Sequence, residues 1–171
     1  MPQPDRSAEP VPNTVIDPDV DLHDARQRQE TSPHEWDLIA ATAAGGVLGA
    51  EARYGLAEAV PHATDAFPWS TLIINVTGCL LIGVLMVILL ELITPHRLLR
   101  PFLGVGVLGG YTTYSTFAVD VEHLVLAHRP GIAIGYGVLT VLACIAAVWL
   151  STGLTRALAR IRSAEPSRSP A

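Results

Sequence analysis

From Phe67 to Leu90, and again from Gly131 to Thr155, the chain carries no charged residue. Each run exceeds the roughly 20 apolar residues an α-helix needs to cross about 30 Å of hydrocarbon. Two such runs within 171 residues leave little sequence for a water-soluble core. Half of all residues are hydrophobic and the mean hydropathy is +0.38, too apolar for an ordinary soluble domain. The expectation is a compact all-α membrane protein.

Two weaker hydrophobic spans complete the pattern. One runs from about Asp37 to Ala59, the other from Leu98 to Leu126, beside the stronger ones at Trp69–Ile93 and Gly131–Leu154. Pro, His, Arg and Asp residues mark the short connectors between them. Four transmembrane helices are expected over 36–155. Residues 1–35 lack hydrophobic periodicity and read as a disordered tail without a secretory signal. Residues 156–171 carry four arginines and read as a solvated tail. Trp36, Trp69 and Trp149 fall near span ends, as interfacial anchors do. Gly45 and Gly49, four apart, suit close helix packing, and a bundle this small implies an oligomer.

Charge excludes one class of partner. All eleven basic residues are arginine and the formal net charge is −5, so no nucleic-acid binding is expected. Cys79 and Cys144 lie within hydrophobic spans, lack metal-site spacing, and read as packing residues. No zinc-protease motif, nucleophile elbow or phosphate loop appears, so the chain is not expected to be an enzyme.

The third span contains GGYTTYSTF at 109–117. Gly-Gly is a poor helix interior, and Ser and Thr compete for backbone hydrogen bonds. Irregular backbone at membrane depth survives only where protein buries it or a watery cavity adjoins it. A broken third helix is expected, its freed carbonyls and hydroxyls handling something small and polar. Thr112, Thr113, Ser115 and Thr116 offer hydroxyl donors. Tyr114 and Phe117, three apart, are either core or a pair of rings whose electropositive edges face an anion.

Other polar residues in apolar surroundings fit the same reading. Asn75 either joins helices or aims its amide donor at a dehydrated anion. Arg53 either anchors a helix end or lends positive charge to a vestibule. Tyr136, Thr140 and Cys144 follow at i, i+4 and i+8, on one face of the fourth span.

Together GGVLGAEARYG at 45–55, PWSTLIINVTGCLLIG at 68–83 and GVLGGYTTYSTF at 106–117 resemble the CrcB/Fluc fluoride-channel family, in order and spacing. The resemblance covers about residues 36–155. It implies an antiparallel, dual-topology dimer of four-helix subunits with two fluoride pores. It also implies a central structural Na+ held by main-chain carbonyls of Gly109 and Thr112 from both subunits. Asn75 would be the pore asparagine, Arg53 the vestibule arginine, and Tyr114 and Phe117 the ring pair. Ser115 or Thr116 would be the pore hydroxyl, and Tyr136, Thr140 and Cys144 the fourth-helix polar track. Tyr114 stands where the family usually has Phe, and Cys144 replaces a usual hydroxyl.

The implied function is passive export of cytoplasmic fluoride through the cell membrane, lowering its concentration and toxicity. A selective pore must replace the hydration shell of a small anion with many donors. A cation-coupled transporter is the alternative, since broken helices serve transporters too; a non-transporting scaffold is a third. The sequence shows no ATP site and no proton-relay carboxylate, which favours passive conduction. Arginines cluster on the side of both termini, which favours a fixed, termini-inside orientation. A chain so fixed would need an oppositely inserted homologous subunit in place of a second copy of itself.

Overall fold

The computed structural model describes residues 35–164, with side chains over 36–161. The expected N-terminal tail lies outside the described residues, apart from Glu35. Every regular element among the described residues is helical.

Helix α1 spans Glu35–Ala59. A connector through Pro61 and Pro68 leads to α2, Trp69–Val87, which widens into a π-helical turn at Ile88–Leu92. Ile93 is extended, and Pro95 follows. Helix α3 starts with π-helical geometry at Arg100–Leu108 and closes with an α-turn at Gly109–Tyr111. Helix α4 is Ser115–Leu126 and α5 is Pro130–Ala164. The last helix therefore runs past Leu154 and takes in residues that the sequence placed in a solvated tail.

Two helical segments, Trp69–Leu92 and Pro130–Ile161, are long and apolar enough to cross a membrane by length and composition. They pair with each other more extensively than any other helices, with α4 laid against both. Helix α1 is also long, but Glu51, Arg53 and Glu58 lower its hydropathy. The third span is divided by the break that its sequence foretold.

Helix α1 crosses α3 through glycines on both partners. A Cβ on Gly49 would overlap the Val107 carbonyl, and one on Gly110 would overlap that of Gly46. A Cβ on Gly106 would lie 2.7 Å from the Thr42 carbonyl. Backbone meets backbone here, so nothing but hydrogen fits. The sequence reading found Gly45 and Gly49. Their matching pair on α3, Gly106 and Gly110, lies just before and at the start of the polar break motif.

The turn between α4 and α5 is a Schellman motif. The Arg129 amide donates to the Leu124 carbonyl at 2.9 Å and the His128 amide to the Val125 carbonyl at 3.0 Å. His128 occupies the left-handed position, with φ 58°. Pro130 then opens α5, where its missing N–H costs nothing.

Exposed ion pairs tie the connectors. At the start of α2, Arg129 meets Asp65 at 3.2 Å. At its far end, Arg97 meets Asp37, and Arg156 grips Glu91 at 2.6 Å. Each contributes little energy in water, but together they fix which connectors share an end.

Large apolar side chains cover much of the outside. Leu81, Val105, Ile134, Leu142, Ile145 and Leu154 are each more than half exposed. A water-soluble monomer rarely shows so much apolar surface; lipid or a further subunit accounts for it.

Candidate functional site

The break between α3 and α4 is held open by one side chain. Asn75 Nδ2 donates to the Thr113 carbonyl at 2.9 Å, and the Thr113 amide donates back to Asn75 Oδ1 at 2.9 Å. Both residues are buried. The side-chain amide thus pairs with a peptide group as a neighbouring strand would. A continuous helix would send the Thr113 N–H to the carbonyl of Gly109, and Asn75 takes it instead.

Thr113 also starts the next helix. Its Oγ1 accepts the Thr116 N–H at 3.1 Å, as an N-cap side chain does. The same hydroxyl donates to Thr116 Oγ1 at 3.0 Å and lies 3.3 Å from Ser115 Oγ. The Thr116 N–H is thereby diverted from the Thr112 carbonyl. Among the described residues, Gly109 and Thr112 both lack the amide that would close a helical hydrogen bond onto their carbonyls. Thr112 itself is extended, with ψ 159°.

A cavity of about 520 Å³ lies beside this break. Asn75 and Cys79 line it from α2, Thr112, Thr113 and Tyr114 from the break, Phe117 from α4, and Thr140 and Cys144 from α5. Among the described residues, no charged side chain lines it. Asn75 keeps one Nδ2 hydrogen beyond its bond to Thr113. Thr140 Oγ1 is buried and has no hydrogen-bond partner among the described residues. An unpartnered buried hydroxyl is costly and suits a site where a ligand or water completes the bonding. Tyr114 is 80% exposed and lies 6.0 Å, ring to ring, from Phe117.

Several expected site residues fall elsewhere. Arg53 is half-buried on α1 and does not line the cavity, nor do Ser115 and Thr116, which stay with the Thr113 network. Tyr136 shares a helix face with Thr140 but sits in the core with Leu72, Leu124 and Ala133. Its ring packs against Phe117 at 5.2 Å and Phe67 at 5.4 Å.

Asp120 is the residue that sequence reasoning underrated. It follows the break in the third span and is buried on α4 at 7% exposure. Its Oδ2 accepts from Thr71 Oγ1 at 2.6 Å and from the Tyr136 hydroxyl at 3.4 Å. No cation pairs with it among the described residues. Its three-residue spacing from Phe117, on the same face of α4, was the available signal.

Residues 40–152 match the sequence model of the family described as "CrcB-like protein, Camphor Resistance (CrcB)". The chain belongs to the CrcB family. Among its CrcB relatives is a protein of Thermobifida fusca named fluoride-specific ion channel FluC 2, 47% identical over 72% of this chain and 91% of the relative. A protein of Streptomyces avermitilis with the same name is 42% identical over 74% of this chain and 80% of its own length. A third, from Nocardia farcinica, is 46% identical over 70% and 85% respectively. The matched CrcB region contains α2, the break and all cavity-lining residues. With apolar helices and ion-channel relatives, this CrcB chain is a membrane protein and not an enzyme.

Proposed function

We propose that this protein is a fluoride-selective channel that exports cytoplasmic fluoride passively across the cell membrane. The observation that carries the reading is the neutral cavity, lined by Asn75, Thr140 and Phe117 and, among the described residues, by no charged side chain. A strongly hydrated small anion needs replacement donors, and fixed charge would hold it too tightly to leave. The relatives' shared name supports the choice of fluoride. Fluoride enters cells as neutral hydrogen fluoride and ionises, so a passive exit relieves toxicity.

Four membrane passes per subunit fit the ion pairs, which alternate between the two ends of α2. Helices α3 and α4 then make one pass between them. The broad apolar exterior fits an antiparallel dimer, formed with a second copy or an oppositely inserted homologue. Arg53, outside the cavity, would serve as a vestibule charge, Ser115 and Thr116 as hydroxyls at the pore edge, and Tyr136 as a buttress beneath Phe117.

The carbonyls of Gly109 and Thr112 fit a hard monovalent cation with oxygen ligands, because both have lost their helical donors and lipid offers none. Na+ there, between paired subunits, would lock the two breaks together and add positive charge beside an anion path.

Asp120 favours a second reading, proton-coupled transport, since a buried carboxylate can carry a proton. Selectivity tests the main proposal: purified protein in liposomes should release fluoride rapidly and chloride at the rate of empty vesicles. Equal release of both anions would remove the fluoride assignment.

A further inference from the structure

A second cavity, of about 510 Å³, lies where α2 ends and α3 begins. Leu90 and Ile93 form its apolar part, and Thr94, His96, Arg97 and Arg100 its polar part. The local fold builds it: the π-turn at Ile88–Leu92 widens the end of α2, and Ile93 and Pro95 turn the chain away. The cavity sits where the uncharged run from Phe67 to Leu90 gives way to charged residues, which is headgroup depth for a membrane-spanning helix.

The arginines around the connectors are not equivalent. Arg97, Arg129 and Arg156 each meet a carboxylate. Arg100 has none among the described residues. Its Nη2 donates to the Leu89 carbonyl at 3.3 Å, which caps the widened end of α2. A guanidinium has five donors in a planar fork that matches phosphate, and this one has used a single donor. His96 Nδ1 accepts the Leu98 N–H at 3.3 Å, so the neutral ring carries its proton on Nε2, a second donor. Arg100 is also the first residue of α3, where the helix dipole favours an anion.

We infer that this cavity holds the phosphate of an anionic membrane phospholipid, with Arg100 as its main ligand and His96 and Thr94 as supporting donors. The apolar half selects lipid over free phosphate. Leu90 is 59% and Ile93 46% exposed beside the guanidinium, and an acyl chain covers such residues while its headgroup meets the arginine. The inference rests on the membrane placement of α2 and not on conduction, so it stands or falls independently of fluoride flux.

Native mass spectrometry of the full chain, released from bilayer discs of phosphatidylcholine with phosphatidylglycerol, reads the site directly. The wild type should retain phosphatidylglycerol over phosphatidylcholine, and Arg100→Gln should lower that retention about tenfold. Arg129→Gln, at the other end of α2, should leave it unchanged. Should Arg100→Gln fold poorly, Arg100→Lys decides: it keeps the charge but loses the fork, and retention should fall severalfold. Equal retention of both lipids, or no change in the Arg100 variants, overturns the proposal. Displacement of the lipid by millimolar inorganic phosphate would assign the cavity to a soluble anion and overturn the lipid reading.

Discussion

Asn75 and Thr113 hold each other through two hydrogen bonds of 2.9 Å, amide to peptide, at the point where the third span breaks. One side chain therefore sets the break and lines the cavity. Of the two roles that sequence left open for Asn75, joining helices is what these bonds do; donating to an anion belongs to the proposed function.

Replacing Asn75 with Asp keeps an acceptor for the Thr113 N–H but removes the donor and sets a carboxylate against the Thr113 carbonyl. Asn75→Asp should abolish fluoride efflux, measured with a fluoride electrode, and lower stability by about 1–3 kcal/mol. Near-normal efflux from the folded variant would take Asn75 out of the anion's path.

Phe117 packs between Tyr114 and Tyr136 with one side on the cavity. Phe117→Ile retains bulk and loses the electropositive ring edge. Efflux should fall at least tenfold, while the aromatic packing lost costs only about 1 kcal/mol. Unchanged efflux with lowered thermal stability would make the ring a core residue alone.

Gly49 lies against the Val107 carbonyl, whereas a Cβ on Gly55 meets nothing within 4 Å. Gly49→Ala should destabilise the protein by about 1–3 kcal/mol because neither backbone can give way. Gly55→Ala should be neutral or slightly stabilising. Equal melting temperatures for the two variants in detergent would contradict the glycine-mediated crossing of α1 and α3.

Much of this was legible in the sequence, for identifiable reasons. Lipid removes water as a hydrogen-bond partner, so uncharged runs announce helices and GGYTTYSTF announces a break. Periodicity put Thr140 and Cys144 on one face, and both line the cavity. What stayed hidden depended on tertiary pairing. Gly106 and Gly110 matter only against α1, Asp120 only against Thr71 and Tyr136, and Thr113 only against Asn75. Tyr136 shares the face of Thr140, yet its larger ring reaches the core formed with Leu72 and Leu124, which spacing alone does not specify.

The carbonyls at the break give a further expectation. If Na+ occupies the proposed site at Gly109 and Thr112, it stabilises the folded dimer by mass action. Exchanging Na+ for N-methyl-D-glucamine during purification should lower the thermal midpoint, and returning Na+ should restore it. A midpoint indifferent to the cation would count against an ion at these carbonyls.

The central claim is passive fluoride conduction, and one measurement meets it head-on. The purified chain alone is reconstituted into potassium fluoride-loaded liposomes, with equal pH on both sides and a potassium ionophore to carry the counter-charge. The account predicts rapid fluoride efflux that an imposed proton gradient does not accelerate. Efflux that appears only when a proton gradient is imposed would contradict it and give Asp120 the leading role.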